Sequence, residues 1–351
     1  MILPSTAFAV WILAIVSLLC LGSWANTLKL TGRWRFEYFY YDFLFGIVIC
    51  AGVAALALGS GRPQELTLQD NLLLVGYRTM AFALGSGVVL NLGMLLLLAA
   101  VSIAGMSIAF PLTLGVALAI GAAWDFVTIA QANVPLTFIG IALVLGGVVV
   151  AALTYVRLLQ VRREAAQTAL TPDPRTKSKR AKSPGAALAI ILSVVGGIVL
   201  SLVPRLLGRA TGDGGLAPYP ALVLISVAAV LSSPFFVLFF ATFPVTGAAA
   251  MPSGYLAGSA KQHLMGLAGG VVWGAGLLTS LIVAGAPSTA QPSALIQYIL
   301  SNAAPLVAIA WGLLIWRELR EGDHRVQMLA AGMVVLFLAG LGMVAFALST
   351  K

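Results

Sequence analysis

Residues 79–124 have the sequence TMAFALGSGVVLNLGMLLLLAAVSIAGMSIAFPLTLGVALAIGAAW, a tract of 46 residues that contains no Asp, Glu, Lys, Arg or His. A helix needs only about 20 apolar residues to cross the hydrocarbon core of a bilayer. The tract is therefore long enough for two crossings, and we expect the break between them near Ser102. This stretch places the chain in a membrane.

The remainder of the chain has the same apolar character. Hydrophobic side chains make up 60% of its 351 residues and charged side chains only 9%, whereas about a quarter of the residues of a soluble globular protein are charged. This composition excludes a soluble globule, a disordered chain, a nucleic-acid-binding domain and a secreted disulfide scaffold as descriptions of the whole. Cys20 and Cys50 lie inside apolar tracts, so we expect them to be small buried hydrophobic residues.

Uncharged tracts determine the expected number of membrane spans. Eight such tracts occur, and residues 264–316 form a second one that is long enough for two helices, with a break at Gly285-Ala286-Pro287. Turn-forming residues in the second half of 214–260 leave room for only one helix there. The sequence therefore predicts an all-α polytopic membrane protein with ten transmembrane helices.

Basic residues predict the orientation of these helices, because Lys and Arg accumulate on the cytoplasmic side of a membrane. Fifteen of the twenty Lys and Arg residues fall on one side, and eight of them lie within residues 157–183. We expect this segment to be a basic cytoplasmic linker between a first membrane unit, residues 1–156, and a second, residues 184–351. Both termini then lie outside the cell, and we expect the protein to be integral to the plasma membrane. A basic run also suits nucleic acid or anionic lipid, but the linker explanation is favoured and no nucleic-acid partner is expected.

Five helices precede the linker and five follow it, so two related halves would have opposite orientations in the membrane. Such an inverted repeat is typical of secondary transporters, in which two similar bundles rock around a central site. Short matches support the repeat: GVVLNLG at residues 87–93 resembles GVVWGAG at residues 270–276, and Pro111-Leu112 resembles Pro305-Leu306. We therefore predict two inverted five-helix repeats.

Four residues are candidates for helix packing or a hinge. Gly266, Gly270 and Gly274 recur every four residues and form one stripe without side chains on a helix. Such a stripe lets another helix approach closely, which suits either a sliding contact between bundles or static packing. Pro305 interrupts a later helix and frees a backbone carbonyl, which is tolerable only beside a cavity or another helix.

The ionisable residues indicate what kind of solute the membrane interior accepts. We expect no Asp, Glu, Lys or Arg near the centre of a helix, because Asp42, Asp125 and Glu318 all fall at predicted helix ends. A permeant with a fixed charge would lose its hydration at the midplane without a counter-charge. The sequence therefore predicts a small neutral polar solute.

Uncharged side chains supply the candidate solute-binding residues, which are Trp24, Asn91, Trp273, Gln297 and Asn302. The two asparagines and the glutamine provide hydrogen-bonding groups near the midplane, and the two tryptophans offer flat faces that can stack on a ring. Each type has a structural alternative. Asparagines also pair membrane helices, and tryptophans also pack or anchor at the interface.

Several short motifs resemble those of the ureide permeases and the related glucose and ribose porters of the drug/metabolite transporter superfamily. The motifs are Leu21-Gly22-Ser23-Trp24, Tyr41-Asp42, GVVLNLG at residues 87–93, Ala304-Pro305-Leu306-Val307, and Trp311-Gly312 followed by Glu318. Their order covers both halves of the chain and leaves out only the linker. The resemblance implies a ten-helix secondary transporter that moves a ureide, a nucleobase or a sugar by alternating access.

The resemblance also bears on coupling ions and cofactors. Members of this group are often driven by protons, and in this chain Asp42 or Glu318 would carry the proton. Ureide permeases are often described with a nucleotide-binding-like motif in the central loop that requires glycine. Residues 157–183 contain no glycine, so we expect no nucleotide and no other cofactor.

Two other classes of function are weighed against transport. An intramembrane enzyme needs a converging nucleophile, acid or metal site, but the sequence has no His-Glu-x-x-His motif, no paired membrane aspartates and only two separated histidines, His263 and His324. We therefore expect no catalytic residue and no metal site. A non-transporting membrane scaffold or assembly protein is the alternative, and the oligomeric state is left open.

Overall fold

The computed structural model describes residues 3–32, 34–59, 67–128, 133–168, 185–245, 247 and 249–349. Within these residues the only regular secondary structure is helical. The helices are α1 (Ala7–Ser23), α2 (Asn26–Leu30), α3 (Phe36–Leu58), α4 (Leu68–Leu74), α5 (Tyr77–Ala104), α6 (Met106–Thr128), α7 (Val134–Thr168), α8 (Ala186–Ser201), α9 (Val203–Thr211), α10 (Pro218–Thr242), α11 (Pro252–Leu256), α12 (Ala260–Ala284), α13 (Ala294–Asn302), α14 (Ala304–Ala310), a π-helical turn (Trp311–Ile315) and α15 (His324–Ser349).

Length and hydropathy identify the helices that can cross a membrane. Eight segments of the described chain qualify: α3, α5, α6, α7, α8 with α9, α10, α12 and α15. A ninth is α13 followed by α14 and the π-helical turn, a pair that is bent by 44°. Large apolar side chains such as Leu56 and Phe235 point outward from the bundle and are exposed, as lipid-facing residues are. The chain is an all-helical polytopic membrane protein, and the expected count of ten additionally requires the 17-residue α1 to cross.

Glycine and proline set the breaks between consecutive helices. The break predicted near Ser102 lies at Gly105, which has a φ of 83° and separates α5 from α6. Residues with a side chain rarely adopt this left-handed conformation, so glycine is suited to end α5 there. A further break at Ala303 precedes Pro305, which occupies the first turn of α14, where a missing N–H costs nothing.

The expected linker, residues 157–183, is only partly described. Residues 157–168 continue α7 as a helix, so the first part of the expected linker is helical, and residues 169–184 lie outside the described residues. Two ion pairs hold this helical extension against the segment before α15. The Arg157 guanidinium lies 2.7 Å from Asp323, and that of Arg162 lies 2.7 Å from Glu321.

Contacts between helix ends define two faces of the bundle. At one face, the start of α7 meets the end of α15 through Asn133 N–H and the Ala347 carbonyl, 3.2 Å apart. We call this face, where α1 also begins, the amino-end face. At the opposite face the extension of α7 meets the segment that contains Glu321. We call it the loop face, because residues 169–184 connect α7 to α8 there.

Helices from before and after residues 169–184 pack closely against one another. The α3 and α12 pair is among the most extensive, as are α5 with α8 and α10, and α7 with α15. Gly270 faces the carbonyl of Phe43, and Gly266 faces Asp42, with no space for a Cβ at either glycine. Gly274 contacts Cys50 on the same side of α12. The glycine stripe therefore lies directly against α3, and we call this contact the glycine seam.

Candidate functional site

A cavity of about 400 Å³ lies between the two halves of the chain. Its walls come from α1, α5 and α6 of the first half and from α8, α9, α12, α13 and α14 of the second. Ligand pockets in proteins commonly measure about 300 to 1,000 Å³. This central cavity is therefore large enough for a small metabolite, and no single half could form it.

One end of the central cavity is aromatic and apolar. Trp24, Phe110 and Trp273 line it together with leucine and methionine side chains. The Trp24 ring lies 4.8 Å from that of Phe43 and 6.1 Å from that of Phe110, measured between centroids. Phe43 also contacts Trp273, with centroids 6.1 Å apart. Trp24 and Trp273, two of the candidate residues from the sequence, thus share one aromatic cluster at the cavity.

The other end of the central cavity carries an ion pair that the sequence analysis did not anticipate. Arg205 donates one terminal guanidinium N–H to Asp125 and the other, at 2.8 Å, to the Gly121 carbonyl. Its Nε–H is buried and has no partner within the described residues. A buried donor without a partner costs free energy unless a ligand satisfies it. This corrects the expectation of a cavity lined only by uncharged groups.

Local structure explains how Arg205 reaches the cavity. The helical pattern is interrupted at Leu202 between α8 and α9, and Pro204 lies in the first turn of α9. The Arg205 guanidinium also lies 5.9 Å from the centroid of the Trp124 ring. The sequence did contain a signal for this pair, because Asp125 and Arg205 carry opposite charges at the ends of two uncharged tracts on the same predicted side of the membrane.

The ninth span, which is bent between α13 and α14 and which we call the broken span, contributes further polar groups to the central cavity. Tyr298, Ser301 and Asn302 of α13 line it, as does Pro305 of α14. The side-chain N–H of Asn302 donates to the Tyr298 carbonyl at 2.9 Å. The side-chain oxygen of Asn302 accepts no hydrogen bond from another residue of the described chain. Gln297 instead lines a narrow neighbouring pocket with Ser17.

Asn91 does not line the central cavity. It is only 1% exposed, and its amide nitrogen donates to the Ala229 carbonyl at 2.9 Å and to the Ser232 hydroxyl at 2.8 Å. The Tyr40 hydroxyl donates to its amide oxygen at 2.7 Å. These bonds use the groups that a solute would need and join α5 to α3 and α10, which favours the helix-pairing alternative for Asn91.

Asp42 belongs to a separate cluster near the loop face. Its carboxylate accepts a hydrogen bond from the Tyr255 hydroxyl at 2.6 Å and lies 2.7 Å from Nδ1 of His263. Burial and the Asp42 carboxylate raise the pKa of Tyr255 to about 12, so this phenol remains a donor at neutral pH. His263 is thus not isolated, in contrast to the expectation from the sequence, and Asp42 does not line the central cavity.

Glu318 lies at the loop face and joins the two halves. Its Oε1 lies 2.6 Å from Nζ of Lys29 and accepts the Met106 backbone N–H at 3.0 Å. Its Oε2 accepts the Ser107 backbone N–H at 2.8 Å and the Ser107 hydroxyl at 2.6 Å. We call Glu318, Lys29, Met106 and Ser107 the Glu318 cluster. The carboxylate caps the start of α6, where free backbone N–H groups favour a negative charge.

The geometry supports binding more readily than chemistry on a substrate. A flat solute could place its ring against Trp24 and Trp273 and its polar edge near Arg205, Tyr298 and Asn302. The opposite charges of Asp125 and Arg205 balance within the cavity. In comparisons with known proteins, no family model matches this chain, and no curated protein matches it.

Proposed function

We propose that this protein is a secondary transporter that moves a small neutral polar metabolite across the membrane by alternating access. The central cavity carries this proposal, because it is enclosed by helices from both halves and has a polar end formed by the Arg205–Asp125 pair, Tyr298 and Asn302. A site between two bundles can open to either side when the bundles rock against each other. A static scaffold has no need for such a void.

The inverted repeat is part of the proposal and is supported by equivalent helix contacts. Gly87 of α5 packs against the Ile225 carbonyl of α10, and Gly270 of α12 packs against the Phe43 carbonyl of α3. Further along the matched segments, Gly93 packs against Leu200 of α8 and Gly276 against Leu21 of α1. If α5 is equivalent to α12, and α10 to α3, each contact in one half has a counterpart in the other. We infer ten spans on this basis, with α1 equivalent to α8 and α9.

The orientation is likewise proposed from the distribution of basic residues. Lys29, Arg157 and Arg162 lie at the loop face, which is therefore placed in the cytoplasm, with both termini outside the plasma membrane. Fusion of a reporter enzyme after residue 168 tests this orientation. Reporter activity on the outer side of the membrane would contradict it.

The solute class follows from the distribution of polar groups. Ureides, nucleobases and sugars are the candidates that the resemblance to ureide permeases and sugar porters suggests. The central cavity offers hydrogen-bonding groups at one end and aromatic rings at the other, which suits a flat ring with one polar edge better than a sugar with hydroxyl groups on all sides. Protons are the proposed coupling ion, with Asp42 and its partner His263 as the coupling residues.

Uptake by the purified protein in proteoliposomes tests the function. We expect saturable uptake of labelled uracil or allantoin, with glucose as the sugar comparison. Ala117 lines the cavity, so Ala117→Phe should fill it and abolish uptake. Ala123 is exposed on the same helix, so Ala123→Phe is the matched control and should retain uptake. Absence of saturable flux for any such solute would favour the scaffold alternative.

A further inference from the structure

A second pocket lies at the loop-face end of α5, beyond the central cavity. Leu90, Met94 and Leu97 line the central cavity, and residues 101–105 line a pocket of about 470 Å³ at the loop face. Leu97 and Val101 are separated by only about 6 Å along the helix axis, so the two spaces are consecutive along one line.

Residues near the start of α6 lie between the central cavity and the Glu318 cluster. Phe110 of α6 lines the end of the central cavity, and Ser107, one turn earlier in the same helix, is held by Glu318. Trp24 contacts Phe110 across the same end. The position of the Glu318 carboxylate therefore fixes the position of the Phe110 ring through one turn of α6.

We propose that the central cavity and the loop-face pocket are two parts of one solute path, and that Glu318 keeps the loop-face side of the path closed. This proposal rests on the transport function proposed above. Glu318 comes from the second half, whereas Lys29, Met106 and Ser107 belong to the first. Rocking of the halves that opens the loop face must therefore break the Glu318 cluster.

The loop-face pocket supplies alternative partners for a released carboxylate. Arg317 and Arg320 line it together with Glu318, and neither has an ion-pair partner within the described chain. Arg317 has a φ of 50°, a left-handed conformation that side-chain-bearing residues rarely adopt and that costs free energy. Glu318 can thus exchange Lys29 for a neighbouring guanidinium when α6 moves, which keeps the carboxylate paired in both states.

Thiol accessibility tests this gate without requiring a solute. Met94→Cys in a background with Cys20→Ser and Cys50→Ser places one thiol in the central cavity. A charged, membrane-impermeant thiol reagent is applied to oriented vesicles from the loop-face side. We expect little modification in this parent and about tenfold faster modification after Glu318→Gln, as expected when hydrogen bonds to a charged group are lost.

Two further variants decide the result. Glu164→Gln removes a neighbouring carboxylate that is 64% exposed and pairs within α7, so modification should stay at the parent rate. Lys29→Met breaks the ion pair but leaves the backbone hydrogen bonds of Glu318, so it should fold even if Glu318→Gln fails to fold, and it should give a smaller acceleration than Glu318→Gln. Unchanged modification in a folded Lys29→Met or Glu318→Gln protein contradicts the gate, whether or not any solute is transported.

Discussion

The glycine seam and the wall of the central cavity join the same two halves of the chain in opposite ways. In the seam, Gly266 and Gly270 bring α12 so close to α3 that no Cβ fits at either position. In the cavity wall, Arg205 and Tyr298 face a space of about 400 Å³. One interface is dry and fully packed, and the other is left open.

This difference separates residues that maintain the fold from residues that contact a solute. Close helix contact in a membrane gains packing energy without any hydrophobic driving force, so the seam and its polar neighbours should be sensitive to small changes in volume. The cavity wall has no protein partner across it, so a change there should alter binding first. Three predictions test this separation, in order of decreasing effect, and a fourth, with the smallest effect, concerns an ion pair outside both regions.

Gly270→Ala should have the largest effect, on folding. The added methyl group meets the Phe43 carbonyl, and because this obstacle is backbone rather than a movable side chain, we expect a loss of about 3 kcal/mol or more. Thermal unfolding of the purified protein measures it. Gly52→Ala in α3 is the control, since nothing lies near its Cβ, and it should unfold at the wild-type temperature or above. Equal stability of the two variants would show that the seam is not tightly packed.

Asn91→Leu should reduce stability next most strongly. It leaves the Tyr40 hydroxyl without its side-chain acceptor and removes the amide donor that links α5 to the Ala229 carbonyl and the Ser232 hydroxyl of α10, at a cost of about 2 to 3 kcal/mol. Asn302→Leu is the matched substitution at the cavity, and it loses only a local bond to Tyr298. We expect it to fold normally and to bind solute less tightly. If Asn302→Leu lost stability and Asn91→Leu lost only solute binding, the roles that we assign to these two residues would be wrong.

Arg205→Lys should reduce solute affinity about tenfold with little change in stability. Lysine retains a positive charge near Asp125 but lacks the planar guanidinium fork with which Arg205 contacts Asp125 and the Gly121 carbonyl at once. The loss corresponds to one hydrogen bond to a charged group. Binding is measured by the rise in unfolding temperature with solute. Arg209→Lys, one turn later in α9 and outside the cavity, should bind as wild type does, and unchanged affinity in both variants would remove Arg205 from the site.

The smallest effect concerns a contact outside both regions. The Arg157 guanidinium holds the pKa of Asp323 below its usual value, which is about 3.9 in an unfolded chain. A lowered folded-state pKa contributes stability above that value, and the contribution is lost as the pH falls through the folded-state pKa. Asp323→Asn should therefore lower the unfolding temperature slightly at pH 7, and the difference should shrink as the pH falls below about 4. A constant difference across this range would exclude the ion pair as its cause.

The coarse fold could be predicted from the sequence because the bilayer imposes strong constraints. Uncharged tracts of sufficient length identify the helices, and a four-residue glycine period indicates a close helix contact without further information. Trp24 and Trp273 could be selected because tryptophan deep in an apolar tract is unusual. These inferences depend on local pattern alone.

The polar end of the cavity could not be predicted in this way. Asp125 and Arg205 are 80 residues apart, and their pairing depends on the interruption at Leu202 and on the packing of α6 against α8. Asn91 and Asn302 look equivalent in the sequence, yet only tertiary structure brings Tyr40 and Ser232 to the first of them. The resemblance to the ureide permeases and sugar porters, which no comparison tests, stays a prediction.

The broken span has a consequence for how the protein can diversify. Helix α13 contributes Tyr298, Ser301 and Asn302 to the cavity, yet it contains no fully buried residue and is detached from α14 at Ala303. Because no side chain of α13 is fully buried, substitutions in α13 should disturb the packing of the bundle little. If the protein has the proposed transport function, selection for a different metabolite should accumulate substitutions in this short helix, while the glycine-rich half of α12 stays unchanged.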